Sequence, residues 1–254
     1  MTYTPFDARV YPIFIYYILL SVFGIFMTLK MFMKWRERKV PAPLHLSLVF
    51  LFLTSAIVVL AIGLAEAAIT GYYKEIYRLS LPLAFTLLVA SDMFLFLFAS
   101  RITEKKKNLL IPLIIIGIVL IFSFFLPSNY WGVPQDEYKG KLNTRLYVTL
   151  SLVLYCYFVY ITVALICYFT KKSTSDKVTR VGLSLLFYSM ISMILFFIMV
   201  IGDTLMIVFF YHPGYSVFMY IAWIFAVLFL ILSYLSLVMP KWLVNMIEKR
   251  EEKS

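Results

Sequence analysis

YSVFMYIAWIFAVLFLILSYLSLVM, residues 215–239, runs for 25 positions without a charged side chain. As an α-helix rising about 1.5 Å per residue it spans about 37 Å. That exceeds the roughly 30 Å hydrocarbon thickness of a bilayer. Six further apolar runs precede it, and the full set lies at 11–33, 46–70, 80–100, 109–126, 146–170, 181–210 and 216–239. The spacing predicts an all-α integral membrane bundle of seven transmembrane helices over 1–240, followed by a short tail, 241–254. The chain is 63% hydrophobic and 14% charged, against about 45–50% and about 25% in soluble domains. Little sequence is left for a separate soluble domain. The first run follows Asp7 and Arg9 rather than a basic region, and no A-x-A site follows it. It reads as a retained helix, not a cleaved signal.

The net charge of +10 sits in short connections between apolar runs. KWRERK (34–39), RITEKKK (101–107), KKSTSDKVTR (171–180), Lys30 and the tail hold 17 of the 23 Lys and Arg residues. The other side holds Arg9, Lys74, Arg78, Lys139, Lys141 and Arg145. Basic loops stay in the cytoplasm, so the expectation is a multi-pass protein of the cell membrane, N-terminus outside and C-terminus cytoplasmic. The lipid bilayer is the expected partner of these charges, and nucleic acid is not.

Two halves of the chain look alike. Arg9-Val10-Tyr11 opens the first run, and Arg145-Leu146-Tyr147 opens the fifth. LSLVF (46–50) opens the second, and LSLLF (183–187) opens the sixth at an offset of 137. This pattern reads as a parallel 3+1+3 internal repeat, in which a single linker helix keeps both triplets in one orientation. Chance matching among abundant Leu, Ser and Phe is the competing explanation.

Three acids lie inside the apolar runs: Glu66, Asp92 and Asp203. Ionised groups in hydrocarbon are costly and face the bundle interior or a partner. Glu66 and Asp203 belong to the outer half, at nearly corresponding positions of the repeat. With Arg9, Arg145, Tyr11 and Tyr147 they define a candidate ligand or ion pocket opening outward. The competing reading is helix-to-helix pairing without a ligand. Asp92 lies near mid-membrane after Ser91. It reads either as a neutral carboxyl gluing helices together or as a switch or ion site. The outer connection 127–145 carries Tyr130 and Trp131. These are interfacial anchors, or Trp131 belongs to a lid over the pocket.

Catalysis is not expected. His45 and His212 lie near opposite membrane faces, which leaves no usual pair of haem ligands within the bundle. Intramembrane zinc chemistry needs clustered ligands, so neither a metal nor a cofactor is expected. The last run contains no lysine for a retinal Schiff base. No phosphate-cradling Gly-rich loop is present. Cys156 and Cys167 share one apolar run without disulfide or metal spacing, and read as small buried hydrophobes.

In the tail, Trp242, Leu243, Met246 and Ile247 share one helical face, and Lys241, Asn245 and Glu248 lie on another. This predicts an amphipathic helix at the inner interface, or a frayed anchor. The exit YLSLVMPKWLVNMIEKR (234–250), with Pro240 and Trp242, resembles that of the seven-transmembrane sensing region found in front of some histidine kinases. The architecture is also similar to that of uncharacterised archaeal multi-pass membrane proteins. The first resemblance implies a receptor-like sensor for a small ligand or a membrane state. Only 14 residues follow Pro240, with no phosphoacceptor His among them, so signalling would pass through 241–254 to a separate cytoplasmic partner. The repeat resembles small sugar transporters built from two parallel triple-helix units, and implies the alternative of a small-solute or ion transporter. Their Pro-Gln signature lies within helices, whereas Pro134-Gln135 lies in the outer connection.

Overall fold

The computed structural model describes residues 3–39, 41–103, 107–210, 212 and 215–251. The basic residues Lys105 and Lys106 and the tail end 252–254 lie outside the described residues. The protein is all-α, 86% helical. Its helices are α1 (Tyr11–Arg38), α2 (Pro41–Thr70), α3 (Glu75–Thr103), α4 (Leu110–Phe124), α5 (Gln135–Tyr138), α6 (Arg145–Ser173), α7 (Lys177–Phe210), α8 (Val217–Val238) and α9 (Lys241–Glu251). Two short strands, β1 (Thr4–Pro5) and β2 (Tyr72–Tyr73), pair antiparallel.

Among the described residues six helices, α1, α2, α3, α6, α7 and α8, are long and apolar enough to cross a bilayer, which makes this a multi-pass membrane protein. The helices run past the apolar edges because good helix formers continue them. The KWRER stretch of α1 stays helical to Arg38. It ends at Lys39, whose left-handed backbone (φ 52) lets its N–H donate to the Trp35 carbonyl at 2.7 Å. Asp176 caps the first turn of α7 by accepting from the N–H and hydroxyl of Thr179. These hydrogen bonds hold its carboxyl below the usual carboxylate range.

The chain divides into two compact units, 1–156 and 157–254, and α6 contributes to both. In the first unit, α2 packs against both α1 and α3. Apolar side chains gain little by leaving lipid for one another, so close approach and polar bonds must hold helices together. Ser47 donates to the Thr28 carbonyl across α2–α1 (3.3 Å), and Ser91 donates to the Val49 carbonyl across α3–α2 (3.0 Å). Gly24 lies against Thr54, and Gly63 against Ser80 and the Tyr77 backbone.

The 15-residue α4 is shorter than the other apolar helices. It nevertheless follows α3 back along most of its length. The Phe124 ring at its C-terminal end lies 5.7 Å from Phe85, near the start of α3. The connection then reaches Arg78, whose Nε donates to the Gly132 carbonyl.

In the second unit a seam of serines joins α7 to α8. Ser189 and Ser233 hydroxyls lie 2.6 Å apart, Ser192 donates to the Phe225 carbonyl (2.8 Å), and Ser236 donates to the Gly182 carbonyl (2.7 Å). Such bonds average roughly 0.6 kcal/mol each in membranes, and their spread along the interface fixes its register. After α8 the chain turns through Met239 (φ 46) and Pro240 into α9, which packs on α7.

Candidate functional site

Glu66 and Asp203 do the same job in different hairpins. Glu66, near the end of α2, accepts the Tyr77 N–H in the first turn of α3 at 3.0 Å. Asp203, near the end of α7 and 3% exposed, accepts the N–H of Ser216 at 2.6 Å. Ser216 is the residue that opens α8. The first N–H groups of a helix have no partner within it. A carboxylate there satisfies one of them and complements the positive end of the helix dipole. Glu66 and Asp203 stand 137 positions apart, the same offset as LSLVF and LSLLF.

The cations predicted to accompany these acids have other contacts. Arg9 pairs with Asp7 at 2.8 Å, both half-exposed. Asp7 also accepts the Arg9 N–H, and these bonds hold its carboxyl below the usual range. The Arg145 guanidinium lies 5.3 Å from the centre of the Trp131 ring. Tyr11 meets Phe6 edge-on, and Tyr147 is exposed.

Arg78, counted from sequence only as an outer charge, is an organising cation of the first unit. It is largely buried, bonds Glu75 at 3.2 Å, and places its guanidinium 5.0 Å over Tyr3. It thus ties the N-terminal arm, α3 and the 127–145 connection to one another. The arm is fixed a second time by β1–β2 pairing and by the Phe6 N–H donating to Gly71 (2.9 Å). Gly71 has φ +73, a conformation open to glycine at little cost.

The 127–145 connection is a folded cover rather than an open loop. Asn129, 0% exposed, donates to the carbonyls of Ser123 (2.8 Å) and Phe124 (3.1 Å) and accepts from the Thr144 hydroxyl (2.9 Å). The Trp131 indole N–H donates to the Phe124 carbonyl at 2.8 Å, and its ring packs on Phe85. Asn129 and Trp131 therefore cap the open carbonyls of α4, while Ser128 and Thr144 close the base of the loop (2.7 Å). Replacing Asn129 with leucine takes one donor from each of these carbonyls and the acceptor from the Thr144 hydroxyl, at a cost of about 1–3 kcal/mol in all. The expected result is cleavage by trypsin at the exposed Lys139 and Lys141 roughly ten times faster in Asn129→Leu, 1.4 kcal/mol being a factor of ten. Equal cleavage rates would remove Asn129 as the clasp.

Asp92 occupies a different place. It is 1% exposed on α3. Cys156, on the first-unit half of α6, is 0% exposed, buried as its run implied. The hydroxyl of the neighbouring Tyr155 approaches α4, where a Cβ on Gly117 would stand 3.0 Å from it. No family model matches the chain, and no curated protein or solved structure is significantly similar to it.

Proposed function

We propose that the protein is a receptor-like membrane sensor of seven crossings, N-terminus outside, that reports to a cytoplasmic or membrane partner through α9. One observation carries the reading. The last span turns directly into an amphipathic helix packed on α7, and that helix leaves Trp242 and Met246 exposed while Leu243, Val244 and Ile247 are half-buried. An element joined to the spans and apolar on its open side is suited to pass a change in packing to a partner. The seventh crossing is α4, whose course along α3 supports the count. The 17-to-6 division of basic residues supports the orientation. Asp92, as a buried titratable group, is the candidate switch. A stimulus biases it only by binding one state better than the other.

The test is purification in mild detergent with mass spectrometry of what copurifies. A stoichiometric signalling protein, retained by the full chain and lost with Trp242→Glu/Met246→Glu, is the expected result. A solitary protein carrying a small solute would overturn it.

A second reading, a small-solute or ion transporter of two parallel triplets, is favoured by the equivalent roles of Glu66 and Asp203. It predicts liposome flux that disappears in Asp92→Asn.

A further inference from the structure

Ser189 and Ser192 on α7 stand three positions apart, and so do Ser233 and Ser236 on α8. The two helices run antiparallel, as the pairs Asp203–Ser216, Ser189–Ser233 and Ser236–Gly182 show. In the observed register one hydroxyl pair forms, Ser189 with Ser233 at 2.6 Å. Ser192 and Ser236 turn instead to the carbonyls of Phe225 and Gly182. Because the two spacings are equal, moving α8 by three positions toward its own N-terminus brings Ser236 to Ser189 and Ser233 to Ser192 together. The step is about 4.5 Å, at about 1.5 Å per residue. The opposite step brings neither α8 serine to Ser189 or Ser192.

Two further observations favour a second register. Ser216, which opens α8, makes no side-chain cap bond, and its hydroxyl is buried without a hydrogen-bond partner among the described residues. Serine at this position ordinarily accepts an amide of the first turn. The step carries Ser216 past Asp203, and the amides that follow it, unbonded within the first turn of the helix, come to the carboxylate in its place. In addition, α7 carries glycine where α8 presses on it. A Cβ at Gly202 would stand 3.2 Å from the Phe218 ring, and one at Gly182 would stand 2.8 Å from the Met239 Cε. Neither side chain has a Cβ to climb over as α8 moves.

We infer that α7 and α8 form a two-register ratchet, in which Ser189–Ser233 marks one state and Ser189–Ser236 with Ser192–Ser233 marks the other. Packed helices settle into discrete arrangements rather than intermediate ones, and here the hydroxyl pairs define them. α8 turns through Met239 and Pro240 into α9. The step therefore draws α9 the same distance along α7, against which it packs. A stimulus drives the step by binding one register better than the other. The inference rests on the sensor reading for what the movement serves, and supplies the change in packing that α9 passes on.

Cysteine pairs read the two registers. The chain has two cysteines, so the parent is the full chain with Cys156→Ala and Cys167→Ala, reconstituted in phosphatidylcholine vesicles and oxidised with copper phenanthroline. Ser189→Cys/Ser233→Cys marks the observed register and sets the reference rate of cross-linking. Ser192→Cys/Ser233→Cys and Ser189→Cys/Ser236→Cys mark the second register, and each leaves the other hydroxyl pair free to form. Both should close at about a tenth of the reference rate, as a minor state populated near 10% gives. Adding Ser192→Ala to Ser189→Cys/Ser236→Cys should slow closure, because the companion pair is lost. Leu186→Cys/Ser233→Cys is offset by the same three positions in the opposite direction and should stay open on that time scale. Closure of the Leu186 pair as fast as the other two would overturn the inference, as would closure of the reference pair alone. Capture of a partner by α9 is measured separately. Open second-register pairs with the partner retained remove the ratchet alone, whereas closing pairs without a partner remove the sensor.

Discussion

Gly63→Leu should open the α2–α3 hairpin and give the largest stability loss of any single substitution in the first unit. A Cβ at Gly63 would stand 2.9 Å from the Ser80 Cβ and 3.1 Å from the Tyr77 Cα, and would overlap the Ser80 hydroxyl. The hydroxyl can rotate, but a backbone atom cannot yield without moving α3. Overpacking of this kind costs about 1–3 kcal/mol. Lipid gives no compensating gain, because the leucine side chain is as well solvated by acyl tails as by protein. The damage extends beyond the contact. Tyr77 is the residue whose N–H binds Glu66, so separating the helices also breaks that bond, worth about 1 kcal/mol more. The measurement is the folded fraction during titration with sodium dodecyl sulfate in mixed micelles. The midpoint should fall well below that of the parent in Gly63→Leu. Gly63→Ala should fall less, and pairing it with Ser80→Gly should recover part of the loss by removing the Ser80 Cβ. Unchanged midpoints would mean that close approach at Gly63 does not hold the hairpin.

Crossings are legible in a sequence like this one because lipid imposes a length. The 25 uncharged positions of 215–239 have no economical alternative to a spanning helix. The pairing of helices is far less legible. Gly63, Ser80, Ser91 and the serines of α7 and α8 fix the helix contacts, yet in a chain rich in small and hydroxyl residues none stands out by type. Glu66 and Asp203 show the same difficulty. Their partners do not follow from position, because each binds a backbone amide, and every residue except proline carries one. A search for opposite charge therefore leads to Arg9 and Arg145, whereas the geometry joins Arg9 to Asp7 and sets Arg145 over Trp131. Arg78 was hidden for the same reason. Its importance lies in the Gly132 carbonyl and the Tyr3 ring, 54 and 75 positions away along the chain, and only folding brings them to it. The short α5 and the two-residue strands carry too few positions for any periodicity to show.

Asp203 offers the sharpest separation between a structural carboxylate and a ligand-binding one. Its Oδ1 accepts the Ser216 N–H in a buried setting. Asp203→Ala leaves that donor unsatisfied, which costs about 1–3 kcal/mol. Asp203→Asn keeps a carbonyl oxygen on the same carbon framework and gives up only the charge-assisted part of the bond. Stability in detergent should therefore rank Asp above Asn and both well above Ala, and Glu66→Gln and Glu66→Ala should repeat the order with a smaller spread at a half-buried site. A carboxylate that binds a cationic ligand behaves differently. There asparagine fails nearly as badly as alanine in the response, because what is lost is charge, while both variants keep the stability of the parent. If Asn and Ala prove equally stable and equally silent, Asp203 belongs to a ligand site and the amide contact is incidental. If they split as the buried geometry requires, Asp203 is the latch of α7 on α8. The corresponding order at Glu66 would then give both hairpins one construction.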